Sequence, residues 1–172
     1  MSERLETATS ETNPTRFEHQ TLATVKAYWD EKRGSRRMPS RADINPADLK
    51  EHLGWISLLD VLPGFADFRF RLVGTKVTRY FRAESTGKTA SETFAPFGPG
   101  VVKGIIAVYR KTARDQVPVR AYGDAGWLGA AYQKFEALYL PLSDDGITCN
   151  IILSTFIFDY ARVAAKSDSS LP

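Results

Sequence analysis

The sequence predicts an α+β domain: an antiparallel sheet with helices packed on one face. Three observations carry that reading. Apolar residues recur at helical spacing near the N-terminus and again in the middle of the chain. Short alternating or continuously apolar runs flank the helical middle, two before it and three after it. One long helical connection separates the two groups of strands, and nothing else calls for the parallel crossovers of an α/β fold. At 172 residues the chain suits one domain, since two would each be short of core.

Residues 1–14 are polar and rich in Ser, Thr and Glu, and read as a disordered tail, as do residues 163–172. Residues 15–162 remain as the one domain. Its first helix is expected over residues 15–34, with Gly34 as the stop, and Leu22, Val25, Tyr28 and Trp29 form its apolar stripe. After the loop GSRRMPSRAD, Asn45 caps a short helix with Pro46 at its first position, where a missing N–H costs nothing. WISLLDVL (55–62) reads as a strand, Pro63-Gly64 as a turn, and DFRFRLV (67–73) as a second strand, making a hairpin. In that second strand Phe68, Phe70 and Leu72 share one face, and Arg69 and Arg71 the other. Val77, Tyr80 and Phe81 belong to a helical middle broken at Gly87. Gly98, Pro99 and Gly100 introduce a long helix over about residues 101–114, with Val101, Ile105, Val108 and Thr112 on one stripe. Three strands follow, at 117–122, 132–142 and 147–158, joined by the glycine-rich GDAGWLG and the tight turn SDDG. The last strand is apolar on both faces, so both need covering. The central helices can cover one; the first helix or a second subunit must cover the other.

Composition narrows the function classes. Hydrophobic residues make up 43% and charged residues 25%, close to an ordinary globular domain. The net charge of +3 is a weak excess, and its one dense run is Lys32, Arg33, Arg36, Arg37 and Arg41. That run reads as a solvated loop more readily than as a contact for an acidic partner, a phosphate or a nucleic acid through the Arg33–Arg41 loop. The one cysteine, Cys149, excludes an intramolecular disulfide and a cysteine-rich metal site and agrees with a reducing compartment. No stretch approaches the roughly 18 apolar residues of a spanning helix, and the N-terminus has no apolar signal core. The expectation is a cytoplasmic protein without a membrane anchor.

Catalytic chemistry is sparse. No nucleophile has a recognisable base beside it, and GDAGWLG lacks the Lys-Ser/Thr of a phosphate loop. The chain therefore reads as a binding and relay module, not an enzyme. A small isomerase or hydratase would need Asp60 or Glu136, the strand carboxylates, inside a cavity. What remains is an aromatic set: Phe70, Tyr80, Phe81, Phe94, Tyr109, Tyr122 and Trp127. These residues either fill the core or wall a cavity in which tyrosine hydroxyls meet a small organic molecule. Tyr109, on the long helix, is expected to face that cavity. Arg71 is expected on the outer face of the sheet, where it could pair with Glu136 or stack under the first helix.

The order of elements, together with YWDEKRGSRRMPSRADINP (28–46), LLDV (58–61), FRFRLVGT (68–75), TGK (86–88) and LYLPLSDDG (138–146), resembles PAS domains. Within them it is similar to a group of short alphaproteobacterial PAS-like proteins, with RMPSRADINP and RLVGT as the specific segments. The resemblance covers about residues 20 to 160 and implies a five-stranded antiparallel sheet whose concave face, with the central helices, can enclose a small ligand. It also implies sensing or protein contact: a homodimer through the N-terminal helix, and a signalling protein partner to receive the signal. It fixes no cofactor. The absence of histidine from residues 98–116 argues against haem, since His19 and His52 both precede the hairpin. The absence of an NCRFLQ-type motif argues against a flavin photosensor, and Cys149 reads as a small core residue.

Overall fold

The structure, a computed structural model, describes residues 8–128 and 134–158. Six strands, β1 (Ala8–Thr12), β2 (Ile56–Val61), β3 (Phe68–Val73), β4 (Val119–Asp124), β5 (Lys134–Leu142) and β6 (Ile151–Phe158), form one sheet. The order is β1-β4-β5-β6-β2-β3, and every neighbouring pair is antiparallel. Four α-helices accompany it: α1 (Gln20–Arg33), α2 (Thr75–Phe81), α3 (Ala90–Phe94) and α4 (Pro99–Asp115). Helices α2 to α4 lie over what we call the inner face, and α1 over the outer face. The α+β architecture is the one the sequence predicts, with one strand more.

That extra strand corrects the reading of residues 1–14 as a tail. Residues 8–12 form the edge strand β1, in register with β4 from Ala8↔Gly123 to Thr12↔Val119. An edge strand needs a backbone partner more than an apolar face, and Ala8 is the β1 residue that packs on the core. A polar composition therefore concealed it. Residues 1–7 and the expected tail 163–172 lie outside the described residues.

Helix α1 begins later than expected, at Gln20, because the His19 side chain caps it by accepting the Thr21 N–H at 3.1 Å. Leu22, Val25 and Trp29 are buried, and the Trp29 indole N–H donates to the Pro141 carbonyl at 3.0 Å. The first helix itself thus covers the second face of the sheet. The apolar stripe that could have paired two chains is taken up within one.

The alternation expected in β3 holds for Phe68 and Phe70, which are buried, and fails at Leu72, which is 46% exposed. Leu58 pairs with Leu72 but Leu59 with Phe70, so Arg71 is the additional residue of a β-bulge that turns Leu72 to the outer face. Just beyond, Gly74 crosses the backbone of residues 53 and 54. A Cβ there would stand 2.3 Å from the Gly54 carbonyl oxygen, so the glycine of RLVGT is required by close approach.

The basic run is spent within the domain. Arg36 bridges to Asp43 at 2.9 Å, Arg37 donates to the Gln116 side chain at 3.0 Å, and Arg41 donates to the Ile44 carbonyl at 3.0 Å. These contacts hold the 34–45 loop in place; such guanidinium forks suit fixed geometry better than lysines would.

Candidate ligand cavity

On the inner face the sheet and α4 do not close completely. Between them lies a cavity of about 540 Å³. The helical wall is the stripe Val101, Ile105 and Val108, the same stripe the sequence shows, and Gly104 and Gly100 leave it thin. A Cβ on Gly100 would meet nothing within 4 Å. The strand wall is Ala8 of β1, Ala121 of β4, and Phe135 and Tyr139 of β5; Phe97, Trp127 and Phe156 complete the aromatic part. Asp124, half-buried, is the one charged side chain among the described lining residues, and its carboxylate accepts the Gly126 N–H at 2.7 Å.

The seven aromatic candidates separate into different places. Trp127 lines the cavity, edge-on to Phe97 with ring centroids 5.5 Å apart. Phe94 stands behind it, fully buried, 6.2 Å from the Trp127 ring. Phe70 and Phe81 pack against Phe94 at 6.2 and 5.1 Å and belong to the core. Tyr80, half-buried, stacks on Phe158 at 4.5 Å. Tyr122 lies on the outer face, with the Arg120 guanidinium 4.1 Å from its ring centre. Tyr109 is buried but lies beside the cavity, not on its wall. Its ring packs on Phe68 and Tyr139 at 5.3 and 5.2 Å, and its hydroxyl bonds Ser154.

Tyr139 occupies the wall position expected of Tyr109. It is 2% exposed and it lines the cavity. Burial, and then the neighbouring Tyr109, push its pKa well above the ordinary tyrosine value, so it keeps its proton. The signal for it was present in the sequence: Phe135, Ala137 and Tyr139 alternate along β5 and share one face.

The two strand carboxylates lie elsewhere. Arg71 pairs with Asp60 at 2.6 Å and not with Glu136, because β6 and β2 stand between β3 and β5. Glu136 is fully buried on the outer face. Its carboxylate accepts the Arg120 Nε–H at 2.6 Å, the His19 N–H at 2.8 Å and the Glu18 N–H at 3.0 Å. Arg120 also reaches Glu11 of β1 at 3.2 Å. One buried carboxylate therefore fastens β4, β5 and the whole approach to α1. Neither acid faces the cavity. Cys149 is buried, and burial pushes its thiol up to about 12, which suits packing more than reactivity.

The α1 cap gives a pH prediction. Burial holds His19 below its ordinary 6.5, with Glu136 opposing. A folded value below the unfolded one means stability is fully present above about 6.5 and is lost as pH falls toward the lowered folded value. The protonated ring could no longer accept the Thr21 N–H. His19→Asn keeps a capping acceptor without titrating there. Urea midpoints measured above and below 6.5 should fall on acidification more in the parent than in His19→Asn; equal falls would exclude this assignment.

An antiparallel sheet with a helical layer over one face, and a largely apolar cavity between them, defines an α+β domain. The chain belongs to the PAS domain family, whose sequence model matches residues 17–155. No curated protein and no solved structure matches the chain significantly. Family membership makes it, in general terms, a sensory or signalling type of domain. Strand β1 lies before the matched stretch, yet it supplies part of the cavity wall. Among the described residues no helix is long and apolar enough to cross a membrane.

Proposed function

We propose that this chain is a sensory PAS domain that takes a small organic molecule in the cavity beneath α4 and passes its occupancy, through the N-terminal segment, to a signalling protein partner. The observation that carries this is the cavity of about 540 Å³ with an apolar wall, a size within the usual range for small-molecule sites.

The relay follows from the strands the cavity shares with the outer face. Ala121 and Phe135 touch the cavity, while Arg120 and Glu136, one residue away on the same strands, hold Glu11, Glu18 and His19. Ala8 of β1 stands in the wall itself. A molecule that pushes on this wall pushes on the segment leading into α1.

Native mass spectrometry beside a denaturing run tests the reading. A non-covalent mass of fixed value carried through gentle purification is the expected result. Apo protein whose melting temperature no small organic probe raises would overturn it. The same spectra count subunits, so a second copy docked on the solvent-facing side of α1 would appear as a dimer.

A further inference from the structure

The lining of this cavity selects the chemistry of what enters it. Resting on the reading of the cavity as a ligand site, we infer that its ligand is a neutral, largely apolar organic molecule bearing one polar oxygen, which hydrogen-bonds the Tyr139 hydroxyl, and that carboxylates and other anions are rejected.

The wall is largely apolar, with Val101, Ile105, Val108, Phe135, Phe156 and Trp127 among its side chains, so most of the molecule should be apolar. Tyr139 supplies the exception. This residue lines the cavity, and a hydroxyl set in a largely apolar wall favours a ligand that brings it a hydrogen-bonding oxygen. Being protonated, it can donate to a ketone or ether oxygen and accept from a hydroxyl.

Charge excludes the other classes. Among the described residues the lining holds no Lys, Arg or His, and its one acidic side chain is Asp124. An anion entering would lose its hydration without gaining a cation and would meet a like charge. The start of α4, at Gly100 and Val101, contributes the opposite sign. That helix dipole amounts to about half a charge and fades within a turn, against the full charge of Asp124.

Three probes of similar size separate these statements: acetophenone (neutral, one carbonyl), ethylbenzene (neutral, no polar atom) and benzoate (anionic). Titration calorimetry on the intact protein should rank the ketone first and benzoate last. Tyr139→Phe removes one oxygen and keeps the ring against Tyr109. It should weaken the ketone about three- to tenfold and leave ethylbenzene unchanged. Asp124→Asn should narrow the gap between benzoate and the ketone. Benzoate binding as tightly as the ketone, or a ketone affinity indifferent to Tyr139→Phe, overturns the ligand class and leaves the cavity reading standing. So does a carboxylate-bearing molecule found among the retained masses. Binding of none of the three, with no mass retained in purification, overturns both.

Discussion

Replacement of Trp29 by alanine is expected to destabilise the domain by about 3–5 kcal/mol. The indole is 3% exposed and lies on the outer face of β5, where it closes the sheet surface that the central helices cannot reach. Truncation removes its dispersion contacts and its apolar transfer energy together, and the rigid strand beneath cannot collapse into the space. It also leaves the Pro141 carbonyl without the indole N–H it accepts. Lys26 and Arg33 add to the loss, since both cations stand over this ring, at 5.6 and 5.5 Å from its centre. The measurement is the urea midpoint at several protein concentrations. Because the indole packs on the chain's own sheet, the loss should be the same at every concentration. A loss that grows on dilution would place the stripe in an interface between copies, and a shift below about 1 kcal/mol would remove Trp29 from the core.

Much of the fold was legible because its elements carry their own periodicity. The stripe of Val101, Ile105 and Val108 predicted α4, and the same residues became the helical wall of the cavity. The two apolar faces of β6 required cover on both sides, and α1 supplied the second. The parts that were not legible depend on partners distant in sequence. Strand β1 has no periodic apolar signal, and its existence rests on backbone pairing with β4, more than a hundred residues later. Leu72 looked inward because alternation assumes an unbroken ladder; the bulge at Arg71 arises from how β2 meets β3. The exchange of Tyr109 for Tyr139 has a similar cause. Both rings lie on inward faces, and only the packing of α4 against β5 decides which hydroxyl Ser154 takes and which residue reaches the cavity wall. Arg71 and Glu136 both face outward, as periodicity suggests, but strand order places two strands between them.

Glu136 illustrates how such a distant partner can govern the whole N-terminal segment, and its replacement is the second large effect expected. Glu136→Ala should cost about 3–5 kcal/mol, because it leaves the nearly buried Arg120 with Glu11 alone and leaves two N–H groups, of Glu18 and His19, without their acceptor. Glu136→Gln should cost less, since an amide oxygen can still accept from those N–H groups while its other end repels the guanidinium. The informative variant is the double one, Arg120→Met with Glu136→Leu. Replacing a buried ion pair by apolar residues of similar volume is often close to neutral for folding, so most of the global stability lost in Glu136→Ala should return. The full fastening of residues 8–19 should not, because the carboxylate and the Arg120–Glu11 contact add to the backbone pairing of β1 with β4. Hydrogen exchange separates the two quantities, since local opening and global unfolding are read from different amides. In the double variant the amides of β1 and of the approach to α1 should exchange faster while those of β5 and β6 stay protected. If protection across residues 8–19 persisted, the N-terminal segment would be held by packing, and the path from the cavity through Arg120 and Glu136 to α1 would lose its physical basis.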